Sequence, residues 1–111
     1  MVEFQDIIIA ENINTPAQQL KELADKTDDY VREAVAGNNN TPIFVLEQLA
    51  TDENWCVREA VAEHKKTPIF VLEKLANDED RNVREAVAKN QNTPKDWIVR
   101  IRIAKNINTN D

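Results

Sequence analysis

Val57-Arg58-Glu59-Ala60-Val61-Ala62, followed after four residues by Thr67-Pro68-Ile69-Phe70-Val71-Leu72-Glu73-Lys74-Leu75-Ala76, decides the fold, because both halves of this stretch return at a fixed interval. The hexapeptide stands at 31–36, 57–62 and 83–88. Thr-Pro stands at Thr15-Pro16, Thr41-Pro42, Thr67-Pro68 and Thr93-Pro94, each 26 residues from the last. Self-similarity at such a period is the signature of stacked supersecondary units, none of which can bury its apolar face alone.

Each unit reads as two short helices. Proline suits the first helical position, where its fixed φ is pre-set and its missing N–H costs nothing, and the threonine before it is expected to cap the helix through its hydroxyl oxygen. Val45, Leu46, Leu49 and Ala50 then fall on one face, and Val71, Leu72, Leu75 and Ala76 repeat them. Asp52 and Asp78 are placed to cap the helix that follows, whose core face carries Val57, Ala60 and Val61. The column Ala10, Ala36, Ala62, Ala88 marks close contact between neighbouring units. Asn12, Asn38 and Asn90 come two residues later, where a left-handed residue is expected to end the helix, and His64 takes that place in one unit.

These signals predict one all-α solenoid over 1–111. It has an N-terminal cap helix at 1–14, repeats at 15–40, 41–66 and 67–92, and a shortened C-terminal cap at 93–111. Caps are expected because a stack leaves an open apolar face at each end. Within the last cap, residues 98–103 alternate as a strand would, so helix and strand both stay open there.

Composition narrows the function. The chain of 111 residues has a net charge of −6, which argues against broad binding to nucleic acid or an anionic membrane. The charge is uneven: residues 1–80 hold 7 Lys/Arg against 17 Asp/Glu, and residues 81–105 hold 7 against 2. A single cysteine, Cys56, excludes an intrachain disulfide framework or a Cys-rich metal site made by this chain alone, and fits a cytoplasmic protein. The longest apolar run near the start, Ile7-Ile8-Ile9-Ala10, is too short for a membrane span. There is no serine and only one glycine, so serine nucleophiles and Gly-rich phosphate loops are absent, and neither a catalytic residue, a cofactor nor a metal is expected. His64 reads as a substituted helix-end residue rather than a metal ligand, since a site needs three or four converging groups.

The units resemble the leucine-rich repeat variant family, whose repeat reads approximately V-R-x-A-V-A-x-N-x-x-T-P-x-x-L-L-x-x-L-A-x-D. Residues 57–62 and 67–78 match it nearly throughout, and the likeness extends over roughly 5–109. The spacing from Asp52 to Arg58 and from Asp78 to Arg84 is also similar to HEAT repeats, in which an Asp–Arg ladder ties neighbours together. Lys26 breaks the aspartate column in the first repeat. The resemblance implies a right-handed stack of paired helices acting as a scaffold. The iron–sulfur cluster of one family member needs a cysteine cluster and is not implied here.

A non-catalytic protein-binding scaffold is therefore the first expectation. Phe44 and Phe70 lie opposite Leu46 and Leu49 on a helical wheel, where the family usually has an acidic residue, and Gln18 and Asp96 keep the polar type that closes a capping box. An aromatic ladder there would supply a hot spot, although each ring could also fill a groove between repeats. Trp55 shares a column with Asp29 and Arg81, which suggests exposure, and the alternative is a ring covering the small alanines. The columns Arg32, Arg58, Arg84 and Glu33, Glu59, Glu85 are expected to be structural or solvated, since adjacent helices place them within pairing reach, though a basic partner could read the glutamates. Two alternatives rest on the basic end, Arg81, Lys89, Lys95, Arg100, Arg102 and Lys105: an anionic partner such as nucleic acid, or salt-dependent self-association of an otherwise monomeric chain.

Overall fold

The computed structural model describes residues 4–97 and contains seven complete helices among them, with residues 95–97 helical as well: α1 (Phe4–Glu11), α2 (Ala17–Leu23), α3 (Asp29–Gly37), α4 (Ile43–Leu49), α5 (Trp55–Glu63), α6 (Ile69–Leu75) and α7 (Arg81–Lys89). The question of helix or strand at 98–103 lies outside the described residues. The nine-residue helices α3, α5 and α7 alternate with seven-residue helices, forming an α-α solenoid of 44 × 27 × 16 Å. In one row α1, α3, α5 and α7 each pack directly on the next. The short helices α2, α4 and α6 pack on their long neighbours and not comparably on one another. The long helices thus form the continuous row of the stack, and the short helices flank it as an outer row.

The core is one continuous strip. α4 buries Val45, Leu46 and Leu49, α6 buries Val71, Leu72 and Leu75, and Val31, Val35, Val57, Val61, Val83 and Val87 meet them from the long row. Each leucine or valine taken fully out of water contributes roughly 1.5–3 kcal/mol. The alanine column is sealed between neighbouring long helices, with Ala10, Ala36 and Ala62 at 0% exposure.

The helix ends correct three expectations. The threonines do not cap the helices after them: Pro16, Pro42 and Pro68 occupy the N-cap positions, with no side-chain cap bond. Each threonine hydroxyl points backwards and donates to a carbonyl of the preceding helix, from Thr15 to Ile9, Thr41 to Val35, Thr67 to Val61 and Thr93 to Val87, at 2.5–2.6 Å. The reason is that the proline's extended ψ delays the helix by one residue. The threonine is then too far upstream to reach its N–H groups, but lies beside the orphan carbonyls of the helix just ended. It follows that Gln18 closes no capping box at α2, so phenylalanine at the matching positions forfeits none.

The caps of the long helices are Asp28, Asn54 and Asp80, which accept from the N–H of Tyr30, Cys56 and Asn82. Asp52 and Asp78, the expected caps, sit two residues earlier and accept from the N–H of Asn54 and Asp80. That leaves carboxylate oxygens free for the neighbouring repeat. Arg32 donates to Asp52 and Arg58 to Asp78, each through Nε at 2.7–2.8 Å and Nη2 at 3.2 Å, while Nη1 of Arg58 binds the Asp52 carbonyl. The arginines therefore pair with aspartates twenty residues on, not with the glutamate column.

Lys26 does not break this ladder. Asp6 occupies the arginine column of α1, and its carboxylate lies 3.7 Å from the Lys26 ammonium, so the first rung keeps its place with the charges exchanged, as an ion pair without a hydrogen bond.

A second ladder runs along the opposite ends of the long helices. No described residue has a positive φ, and Asn38, His64 and Asn90 end their helices in extended backbone. The asparagines end the helix through their side chains instead. Oδ1 of Asn38 accepts from the N–H of Asn40, and Nδ2 donates across the joint to the carbonyls of Ala10 and Asn12. Asn90 repeats this on Ala62 and His64.

His64 reproduces the asparagine with a ring: Nδ1 accepts from the Lys66 N–H at 3.0 Å, which leaves Nε2–H to donate to the Asn38 carbonyl at 2.8 Å. Only the neutral imidazole can do both, and burial holds its pKa below the usual 6.5, with Lys66 and Lys65 adding to that. The native state thus binds fewer protons than the unfolded chain. The contribution of His64 is complete above pH 6.5 and is lost as pH falls below it. The expected slope is at most about 1.4 kcal/mol per pH unit. Urea unfolding of wild type and His64→Asn in parallel from neutral to mildly acidic pH should show that extra loss in wild type alone; parallel curves would remove the assignment.

Candidate partner-binding surface

Both α4 and α6 open with Ile-Phe-Val-Leu-Glu. Once Val45, Leu46 and Leu49 face the core, helical geometry turns Ile43, Phe44 and Glu47 outward, and α6 does the same with Ile69, Phe70 and Glu73. Ile43, Phe44, Ile69 and Phe70 are each about half exposed, at 48%, 53%, 51% and 50%. The phenylalanines therefore do not fill the groove between repeats. They recur on adjacent short helices, with an isoleucine beside each, and form an apolar strip on the outer row. Ile43 and Ile69 were legible from the same wheel that singled out the rings.

Trp55 is 41% exposed but lies elsewhere. It opens α5, on the long row, at the end of the repeat held by the Arg–Asp ladder. Phe44 and Phe70 open short helices at the opposite end, beside the asparagine ladder. The structure brings the two rings into one strip and sets the indole apart.

Arg81, Lys89 and Lys95 are exposed, with Arg81 and Lys89 flanking Glu85 along α7. Arg100, Arg102 and Lys105 lie outside the described residues, so the basic end is not assembled into a surface by the geometry at hand.

On the long row Glu33 is exposed and Glu59 and Glu85 are half-buried, and among the described residues no hydrogen bond or ion pair engages them, because their neighbours Arg32, Arg58 and Arg84 turn towards the aspartate end. Burial raises the Glu59 carboxyl above its usual range, with Glu63, Asp80 and Glu33 adding to it. Burial and then Glu33 and Glu59 push the Cys56 thiol up as well, which makes it a poor thiolate nucleophile. Cys56 and His64 stand at opposite ends of α5, about 12 Å apart at 1.5 Å per residue, and both ring nitrogens of His64 are already bonded. No group of three or more metal-ligating side chains converges among the described residues, and no described helix is long and apolar enough to cross a membrane.

Compared with known proteins, residues 31–54 and 55–80 match the leucine rich repeat variant family as two adjacent repeats. No curated protein and no solved structure gives a significant match. The periodic Val-Arg and Thr-Pro signals, the paired helices and the family match converge on residues 31–80 as two leucine rich repeat variant repeats within an all-helical repeat stack.

Proposed function

We propose that this repeat scaffold is a non-catalytic protein-interaction module whose outer row presents Phe44 and Phe70, with Ile43 and Ile69 beside them, to an apolar surface of a partner. The observation that carries the reading is four large apolar side chains, each about half exposed, recurring in register on neighbouring helices. A fold that needed these rings for its core would bury them, whereas a folded surface gains nothing from displaying them to water. Clustered aromatics flanked by aliphatic groups are the usual anchors of a protein interface.

The test is capture from source-cell lysate by wild type beside the Phe44→Asp/Phe70→Asp variant. A partner held by wild type is expected to be lost, with helicity by circular dichroism unchanged, because neither ring supports the core. A partner retained by the folded variant places the contact on another face; an unfolded variant makes the rings structural.

A further inference from the structure

The long-helix row carries a second face that neither ladder uses. Residues four apart share one side of a helix, so Asp29, Glu33 and Gly37 form a stripe on α3, and Trp55, Glu59 and Glu63 form the matching stripe on α5. Asp29 accepts from the side chain of Asn54. Glu33, Glu59 and Glu63 have no hydrogen bond or ion pair among the described residues, and Trp55 stands exposed at the head of their stripe in a column otherwise held by charge. Gly37, the one glycine of the chain, has nothing within 4 Å of where a Cβ would stand. It opens a depression of ≈ 240 Å³ bounded by Asn39, Ala60, Glu63, His64 and Lys65, room enough for a single long side chain. The depression lies at the C-terminal ends of α3 and α5, where the helix dipole favours positive charge, and Lys65 is the one opposing cation on its wall.

We infer that this face of the long-helix row docks an extended peptide segment carrying arginine or lysine on roughly every third residue. Charge complementarity selects the occupant: Glu33, Glu59 and Glu63, unpaired on successive helices within residues 1–80, where 17 acids stand against 7 bases, leave a negative strip over α3 and α5 that ends at α7, where Arg81 and Lys89 take the matching places and Lys89 acts on Glu59. Spacing selects the form. Packed helices stand about 8–10 Å apart, and one turn of polyproline II, three residues at about 3.1 Å each, spans about 9 Å and returns to the same side of the peptide, so one cationic side chain meets Glu33 while the next meets Glu59 and Glu63. The indole of Trp55 offers a face for a guanidinium to stack on. This surface is independent of the apolar strip on the outer row.

Fluorescence anisotropy of a labelled peptide with arginine at every third position and alanine between, at physiological ionic strength, tests the assignment. Wild type should bind it, less tightly as salt rises, and more tightly than a peptide of the same composition with its arginines in one block. Glu33→Gln/Glu59→Gln/Glu63→Gln should weaken binding by about tenfold or more, and Trp55→Ala by a smaller factor. Glu47→Gln/Glu73→Gln, on the outer row, should leave it unchanged. So should Phe44→Asp/Phe70→Asp, which separates this face from the proposed scaffold surface. Absence of binding, or equal weakening by the two glutamine sets, overturns the inference. A salt-sensitive dimer that forms without peptide and is lost in the triple variant assigns the face to a second copy instead. Protection of the same carboxylates by calcium chloride alone, with no peptide bound, assigns it to a metal ion.

Discussion

Replacing Asp78 with alanine is expected to destabilise the fold by about 3–5 kcal/mol, read as a drop in the urea midpoint without a change in slope. The Arg58 and Asp78 side chains are only 10% and 9% exposed, and the arginine is oriented by the Asp52 carbonyl as well as by the carboxylate. Removing the carboxylate leaves a guanidinium that is still out of water and still held in place, with two of its donors unpaired. The cost is that of stranding a charge, not the net worth of the pair. For that reason the double variant Arg58→Met/Asp78→Leu should recover part of the loss, since two apolar groups of similar volume strand no charge, although the Asp80 N–H and the Asp52 carbonyl each lose a partner. The exchanged rung is a control built into the same chain. Lys26 is 44% exposed and 3.7 Å from Asp6, so solvent screens the pair, and Lys26→Ala should cost less than about 1 kcal/mol. If Asp78→Ala and Lys26→Ala cost the same, the ladder contributes nothing by being buried.

Asn38→Ala is expected to cost about 2–4 kcal/mol by the same measurement. One side chain serves three backbone groups: the carbonyls of Ala10 and Asn12 in the preceding unit and the N–H of Asn40 in its own turn. Asn38 is 5% exposed and Ala10 is fully buried, so water does not freely replace what is lost. Each buried polar group left without a partner costs about 1–3 kcal/mol, with partial relief for those nearer the surface. Asn38→Asp separates geometry from chemistry. It keeps the acceptor for Asn40 but faces two carbonyls with oxygen where Nδ2 donated, and should be no better than alanine. A loss below about 1 kcal/mol for both variants would show that the joint is held by apolar contact alone.

These two ladders clamp opposite ends of the long helices, and they explain why a chain with a single glycine and no disulfide can stack helices of seven to nine residues. Helices that short are marginal in isolation, so their order comes from neighbours. The apolar strip clips each pair together, and the polar ladders set the register from one repeat to the next.

The solenoid and the paired helices were legible in the sequence, because a 26-residue period and a 3.6-residue period are properties of residue order, whereas the helical wheel left Phe44 and Phe70 either on the surface or in the groove between repeats. The period also placed Arg58 and Asp78 in fixed columns. What residue order left open was which partner each polar group would find. Threonine was expected to look forward to the next helix and looks back to the last. Asparagine was expected to end helices by a left-handed backbone and does so by bridging to the previous repeat. Arginine chose an aspartate twenty residues away over the glutamate beside it. In each case several partners of similar chemistry lay within reach along the chain, and only the packing of one repeat on the next decided between them, through differences of an ångström or two in where the backbone came to rest. The same packing placed Trp55 and the rings on separate faces, a distinction that one-dimensional periodicity cannot contain.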